Sequence, residues 1–210
     1  MAYPSLISRP DARRIGLVAD THVPDRAPSL NPRLFESLQG VHLILHAGDI
    51  SSPAVLEALS RIAEPVAVRG NNRGDGRCFN PSLPEKRLIE IAHGFRIGLF
   101  HGVETFYQRI TDVIIGRSGF TARCACRILK RMMPLFPDAD CTVYGHGHWP
   151  VVHFQEGKLF VNPGKAFGQK ESTCGILEIQ DDCVRVMFLP LGTPGRLESL
   201  VSKWYSFPPT

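Results

Sequence analysis

The sequence predicts an α/β protein with two β-sheets and helices outside them, on three observations. Short apolar runs alternate with helix-start signals through the first 70 residues, and paired short strands with turn signals dominate after residue 84. Four polar motifs, Asp20-Thr21-His22, Gly48-Asp49, Gly70-Asn71 and Gly145-His146-Gly147-His148, each follow an apolar run, with His101-Gly102 between the third and fourth. Such motifs sit at the carboxyl ends of strands, where open α/β sheets gather their chemistry.

Residues 1–12 read as a loose arm, with Pro4 and Pro10 and little periodicity. Residues 13–19 (RRIGLVA) form a short apolar strand ending at the first motif. Asn31-Pro32 places a capping residue before a proline at the first helical position, and Gly40 closes that helix. Residues 41–47 (VHLILHA) are the second strand. Ser52-Pro53 starts a second helix through about residue 62, and residues 65–69 (PVAVR) are the third strand. Strand, motif, helix and strand in this order predict parallel strands joined by helical crossovers.

Beyond Pro84, residues 86–92 and 95–100 flank His93-Gly94 as a hairpin. Residues 103–136 read as a helical insertion broken at residues 116–119. Residues 141–144 lead into the double-histidine motif. Two further hairpins turn at Glu156-Gly157 and Asp181-Asp182, so the second half is expected to be mostly antiparallel. Residues 197–204 read as a short docked helix. With no repeat or linker, residues 1–210 are expected to form one domain.

A chain of 210 residues can bury a sizeable core. Apolar content of 43% with 21% charged residues is ordinary for a soluble globular protein, and the start has no apolar leader. No apolar run approaches the ~18 residues of a membrane span. A net charge of +4 favours anionic substrates but is too small to mark a nucleic-acid binder. The six cysteines are scattered without a CxxC pair, which predicts free, buried thiols in a reducing compartment, the cytoplasm.

Two carboxylates, one amide oxygen and four imidazoles make a mixed oxygen and nitrogen donor set suited to Mn, Fe, Ni, Co or Zn. Thiolates, which a structural zinc site would use, are missing from it. Asp20 and His22 lie two apart, as do His146 and His148, so each pair can serve one ion or two neighbouring ones. A carboxylate at Asp49 can bridge two cations, and Asn71 offers a neutral oxygen where a third negative charge would repel a phosphate. Two cations about 3.5–4 Å apart can hold a hydroxide and stabilise both in-line oxygens of a phosphoryl group.

These motifs, with residues 45–49 (LHAGD), 68–71 (VRGN) and Asn162-Pro163-Gly164, resemble the calcineurin-like metallophosphoesterase superfamily in its small YfcE-like phosphodiesterase branch. The likeness runs in order over residues 13–190. It implies a two-sheet β-sandwich flanked by helices (α/β/β/α). It also implies a first metal on Asp20, His22, Asp49 and His148, and a second on Asp49, Asn71, His101 and His146. Asp49 would be the bridging carboxylate and a bridging water or hydroxide the nucleophile, with Asp49, Asn71 and His101 closest to catalysis. Two divalent cations are implied, manganese being a common activating metal in this branch.

The sequence departs from the resemblance at several positions. Many superfamily members carry a histidine where this chain has Asn72, and the usual serine after Asn-Pro-Gly is Lys165. Asn72, Arg73 and Lys165 are therefore candidate substrate-binding residues, and Asp75 a candidate replacement acid. The other histidines, His42, His46, His93 and His153, are not expected as ligands, although His46 can orient one by hydrogen bonding. Arg123, Arg127, Lys130 and Arg131 recur at helical spacing. A solvated face is the plainer reading and a cationic lid the sharper one.

The expected function is a metal-dependent phosphodiesterase acting on a small phosphoester, with a nucleotide substrate and a homo-oligomer both compatible. The alternatives are a phosphomonoesterase or nucleotide phosphatase, and an interaction scaffold like the eukaryotic retromer subunit that resembles this branch.

Overall fold

The computed structural model describes residues 6–70, 83–102, 132–192 and 204–207. Arg14–Val18 (β2), Leu43–His46 (β3) and Glu64–Ala67 (β4) run parallel, as the crossover pattern predicts. Their connections carry helices Pro32–Ser37 (α1) and Pro53–Ser60 (α2). Both helices begin where the capping signals place them. The Asn31 side chain accepts from the Arg33 amide at 3.0 Å and the Ser52 hydroxyl from the Ala54 amide at 3.3 Å. Asn31 also donates to the Leu191 carbonyl at 2.7 Å, tying the start of α1 to the end of the last long hairpin.

That hairpin, Thr173–Gln180 (β10) and Cys183–Pro190 (β11), extends the same sheet antiparallel beyond β2, turning at Asp181 (φ 50°). The sheet order is β12-β11-β10-β2-β3-β4, where β12 is Tyr205–Ser206. The other sheet holds Leu6–Ser8 (β1), Lys86–Glu90 (β5), Arg96–Phe100 (β6), Cys141–Tyr144 (β7), Pro150–Gln155 (β8) and Lys158–Pro163 (β9), in the order β1-β5-β6-β7-β9-β8.

Two expectations need correction. The arm at 1–12 is not loose where it is described, because Leu6–Ser8 pairs parallel with Leu88–Glu90 and Arg9 forms an ion pair with Glu64 at 2.5 Å. A three-residue edge strand is too short to display a period, and its pairing is with chain 80 residues away. The second half is mostly antiparallel, as the hairpins predict, in β5–β6, β8–β9, β10–β11, β10–β2 and β11–β12, while β6, β7 and β9 form a parallel group within it. Hairpin turns are local signals, whereas a parallel neighbour arrives over a long connection. At the end of the chain, Trp204 is not helical and Tyr205–Ser206 pairs with β11; residues 197–203 lie outside the described residues.

Side chains alternate between two apolar layers. Leu17 and Leu45 from one sheet meet Ile97, Leu99, Val143 and Val161 from the other in the shared core. On the opposite face of the first sheet, Val18 and Ile44 pack against Leu34, Leu38, Val55 and Leu59 from α1, α2 and the α1 C-cap. The outer face of the second sheet, with Phe100, Tyr144 and Phe160, is covered by Met132, Phe136 and Ala139. At Gly98 a Cβ would fall 2.3 Å from the Phe136 ring, so glycine in β6 is what admits this cover. The layers agree with the predicted α/β/β/α sandwich. Of the expected helical insertion at 103–136, residues 103–131, with the basic stripe, lie outside the described residues. The part that follows ends in a 3₁₀ turn, Met133–Leu135.

Candidate metal centre

The carboxyl ends of β2, β3 and β4 meet those of β6, β7 and β9 at one edge of the sandwich, bringing the motifs together. Asp20 and His22 follow β2. Their amides donate to the Gly48 and Asp49 carbonyls at 3.0 and 3.1 Å, which locks the first motif onto the second. The Gly145 amide donates to His101 O at 3.1 Å, and the His146 amide to Asp20 Oδ2 at 2.9 Å, joining the two sheets. Asp20, His22, Asp49, His146 and His148 all have positive φ, between 45° and 66°. Non-glycine residues occupy this region at a cost of about 1–3 kcal/mol each, and they cluster at functional sites.

Two ligand groups result. Asp20, His22 and His148 present one donor atom each within 4.8 Å of one another, and so do Asp49, His101 and His146. Asp49 lies between them, with Oδ2 3.3 Å from His22 Nε2 and Oδ1 3.3 Å from His101 Nε2. Asp20 Oδ1 stands 3.4 Å from His148 Nε2. The structure brings six of the seven expected ligand residues together in these two groups. Asn71, Asn72, Arg73 and Asp75 lie outside the described residues. Gly70 is described, and a Cβ there would fall 2.0 Å from Asp49 Oδ1, so the chain passes directly over the carboxylate just before Asn71.

The donor atoms fit cations. Among the described residues, Asp20 Oδ1 and both ring nitrogens of His22 are buried without a hydrogen-bond partner. Buried polar atoms without partners are costly and rare, and a divalent ion is the partner such a set lacks. Burial, partly offset by Asp49 and Asp20, lowers the His22 pKa to about 4, so the ring is neutral and ready to ligate. His101 Nδ1 lies 2.7 Å from the Ala47 carbonyl. A carbonyl only accepts, so Nδ1 carries the proton and Nε2 is left facing Asp49. Burial opposes a proton on the remaining nitrogen. The hydrogen bond to Asp49 and the charges of Asp20 and Asp49 outweigh it and raise the His101 pKa.

His46 behaves otherwise. Its Nδ1 accepts from the Gly48 amide at 3.2 Å, so in the neutral ring Nε2 is the donor, toward Thr21 Oγ1 at 3.2 Å. Thr21 passes the chain on to the Asp49 carbonyl at 3.4 Å. Burial pushes the His46 pKa down to about 3. His46 thus positions the turns that carry Asp20 and Asp49, with no lone pair left for a metal. Asn162 acts similarly from β9, donating to Gly145 O at 2.8 Å and accepting from the Gly164 amide at 2.9 Å.

Lys165 lies beside the first group, its ammonium 4.8 Å from the Phe167 ring centroid. That ring meets His22 and His148 edge-on at 5.0 and 5.3 Å. Arg26 reaches the same ring at 5.6 Å. Sequence reasoning missed Arg26 and Phe167, which lie in loops without periodicity or motif. Asn162 was visible only as part of the Asn-Pro-Gly motif.

Fold and site together define an α/β sandwich with two groups of metal-ligand-type side chains at its strand ends. The chain belongs to the calcineurin-like phosphoesterase superfamily, whose domain model matches residues 14–182. It is 35% identical over 150 residues to a probable metallophosphoesterase of Methanothermobacter thermautotrophicus, covering 71% of this chain and 75% of that protein. A probable metallophosphoesterase of Methanocaldococcus jannaschii is 33% identical over 150 residues, covering 71% of this chain and 66% of its own length. The crystal structure of Vps29 complexed with zinc from Entamoeba histolytica shares the fold, with a TM-score of 0.65, 22% identity, and coverage of 93% of this chain and 99% of that one. No helix among the described residues is long and apolar enough to cross a membrane.

Proposed function

We propose that this protein hydrolyses phosphodiesters with two divalent cations. The first would be held by Asp20, His22, Asp49 and His148, and the second by Asp49, Asn71, His101 and His146. The observation that carries this reading is Asp49, whose two oxygens face His22 and His101 of separate ligand groups at equal distances of 3.3 Å. Bound cations supply charge to polarise the phosphoryl group and acidity to activate water. The chain's own residues do the rest. His101 is held in one tautomer by Ala47, Asp20 is fixed by the His146 amide, and the Thr21–His46 pair steadies the Asp49 backbone.

A diester is favoured over a monoester because it carries one negative charge, and this chain has Asn72 where an imidazolium donor would stand. Manganese is the metal proposed, with zinc the first alternative given the zinc-complexed Vps29 structure. The free, buried thiols of Cys141 and Cys174, the latter pushed by burial up to about 12, suit a reducing compartment, and we place the protein in the cytoplasm. An interaction scaffold has no use for a buried His22 ring whose nitrogens accept or donate no hydrogen bond among the described residues.

The test compares bis(4-nitrophenyl) phosphate with 4-nitrophenyl phosphate in manganese and after chelation. The diester should be cleaved faster, and chelation should abolish the activity. Absence of metal-dependent cleavage of either ester would return the chain to the scaffold reading.

Protons provide an independent check. In the metal-free chain His101 has a raised pKa, so its contribution to stability is present below the usual imidazole value of 6.5 and is lost as pH rises through the raised value. A cation must displace that proton. Manganese titration in weak buffer should release protons near neutral pH, with the number falling as pH rises through the raised His101 value while metal affinity increases. Proton release that is nil or independent of pH would remove His101 from the ligand set.

A further inference from the structure

Phe167 and its two cations have no part in holding metal. Phe167 is half-buried, packed edge-on against His22 and His148 of the first ligand group. Lys165 and Arg26 both lie within cation–π distance of its ring, at 4.8 and 5.6 Å. Their backbones are anchored to the ligand-bearing turn. The Arg26 amide donates to His22 O at 2.8 Å, and Ala166, next to Lys165, donates to Ala19 O at 2.9 Å and to Asp20 O at 3.2 Å. The Thr173 amide donates to Lys165 O at 2.8 Å, fixing the other side of the loop.

Neither cation has a carboxylate partner among the described residues, although Arg9, Arg14, Arg69, Arg96 and Arg185 elsewhere in the protein are each paired with a glutamate. A cation–π contact at an exposed position is weak by itself. Two cations within reach of one ring add their fields, which favours an anion near both of them. A guanidinium presents a planar fork matched to phosphate oxygens, and an ammonium adds a point charge. The ring keeps both heads beside the first metal group instead of letting them swing into solvent.

We propose that Arg26 and Lys165, held on Phe167, form a subsite for a second phosphate on the substrate, placed beyond the scissile phosphoryl group at the Asp20–Asp49 centre. This rests on the phosphodiesterase reading and narrows it to diesters whose organic part bears a further phosphate. Substrates with uncharged substituents leave the subsite unused.

The test measures binding and turnover separately on the full chain. Calorimetry in manganese compares thymidine 3′,5′-bisphosphate with thymidine 5′-monophosphate. The parent protein should bind the bisphosphate at least about tenfold more tightly, because its second phosphate gains charge-assisted contacts that the monophosphate lacks. Arg26→Ala combined with Lys165→Ala should reduce that preference to below about threefold, whereas Lys165→Arg should retain it. In parallel, 4-nitrophenol release is followed from thymidine 5′-(4-nitrophenyl phosphate) with and without a 3′-phosphate, the 3′-phosphate being expected to lower KM more than it raises kcat. Equal affinities in the parent, no binding of either nucleotide, or an undiminished preference in the double variant overturns the subsite. Failure of both esters to react while the bisphosphate preference holds leaves the subsite standing and removes the hydrolase reading.

Discussion

Asp49→Asn should abolish phosphodiester hydrolysis, lowering turnover by at least about a thousandfold, while the chain still folds. Charge stabilisation by a metal ion is worth several kcal/mol in a phosphoryl-transfer barrier, and each 1.36 kcal/mol is a factor of ten. The amide keeps the shape of the carboxylate, so the close passage of Gly70 over it is preserved. It lacks the charge that both half-sites share and places an N–H against His22 Nε2 or His101 Nε2, each now 3.3 Å from a carboxylate oxygen. Metal content should fall from two ions per chain, and added manganese should no longer raise the melting temperature, because ligand-linked stabilisation needs binding to the native state. A variant that keeps two ions and near-parent turnover would falsify the bridging role.

Asn162→Ala is expected to have the largest effect on stability, and its loss of function would come through position. Asn162 touches no candidate ligand side chain. Its amide holds Gly145 O at 2.8 Å and its carbonyl holds the Gly164 amide at 2.9 Å, both buried. Alanine would remove the side-chain partner of the Gly164 amide, at about 1–3 kcal/mol, and leave Gly145 O with the Gly147 amide at 2.8 Å as its remaining partner among the described residues. The turn it braces carries His146 and His148 at φ 66° and 58°, a conformation that needs outside support. Each histidine serves a different ligand group, so affinity should fall at both metal positions together. Asn162→Asp, which keeps the acceptor for Gly164 and loses the donor to Gly145, should fall between parent and alanine. Thermal melts with and without manganese decide the point. A melting temperature within a degree or two of the parent, with metal content intact, would leave Asn162 without this role.

Some of this protein was legible because its signals are local. Asn31-Pro32 and Ser52-Pro53 start helices through hydrogen bonds that span two residues, and Glu156-Gly157 and Asp181-Asp182 turn hairpins within a few positions. The apolar runs ending in Asp20, Asp49 and Gly70 gave the parallel strands for the same reason. The ligand set became readable through the ordered motifs and the family they resemble, since a single histidine in isolation carries no such signal.

Tertiary structure decided the rest. Leu6–Ser8 and Tyr205–Ser206 are strands only because distant edges of the sheets accept them, and two or three residues cannot show a period. Parallel pairing of β6 with β7 and of β7 with β9 depends on long connections whose ends do not announce each other. The left-handed backbone at five ligand residues is held by hydrogen bonds between motifs far apart in sequence, such as the His146 amide with Asp20. The meeting of Arg26 and Lys165 on Phe167 beside His22 brings together loops 140 residues apart. By itself the sequence determined which side chains stand at the strand ends, because period and capping act over a few residues. Which of them face one another was set by the packing of two sheets, and that contact is made through space.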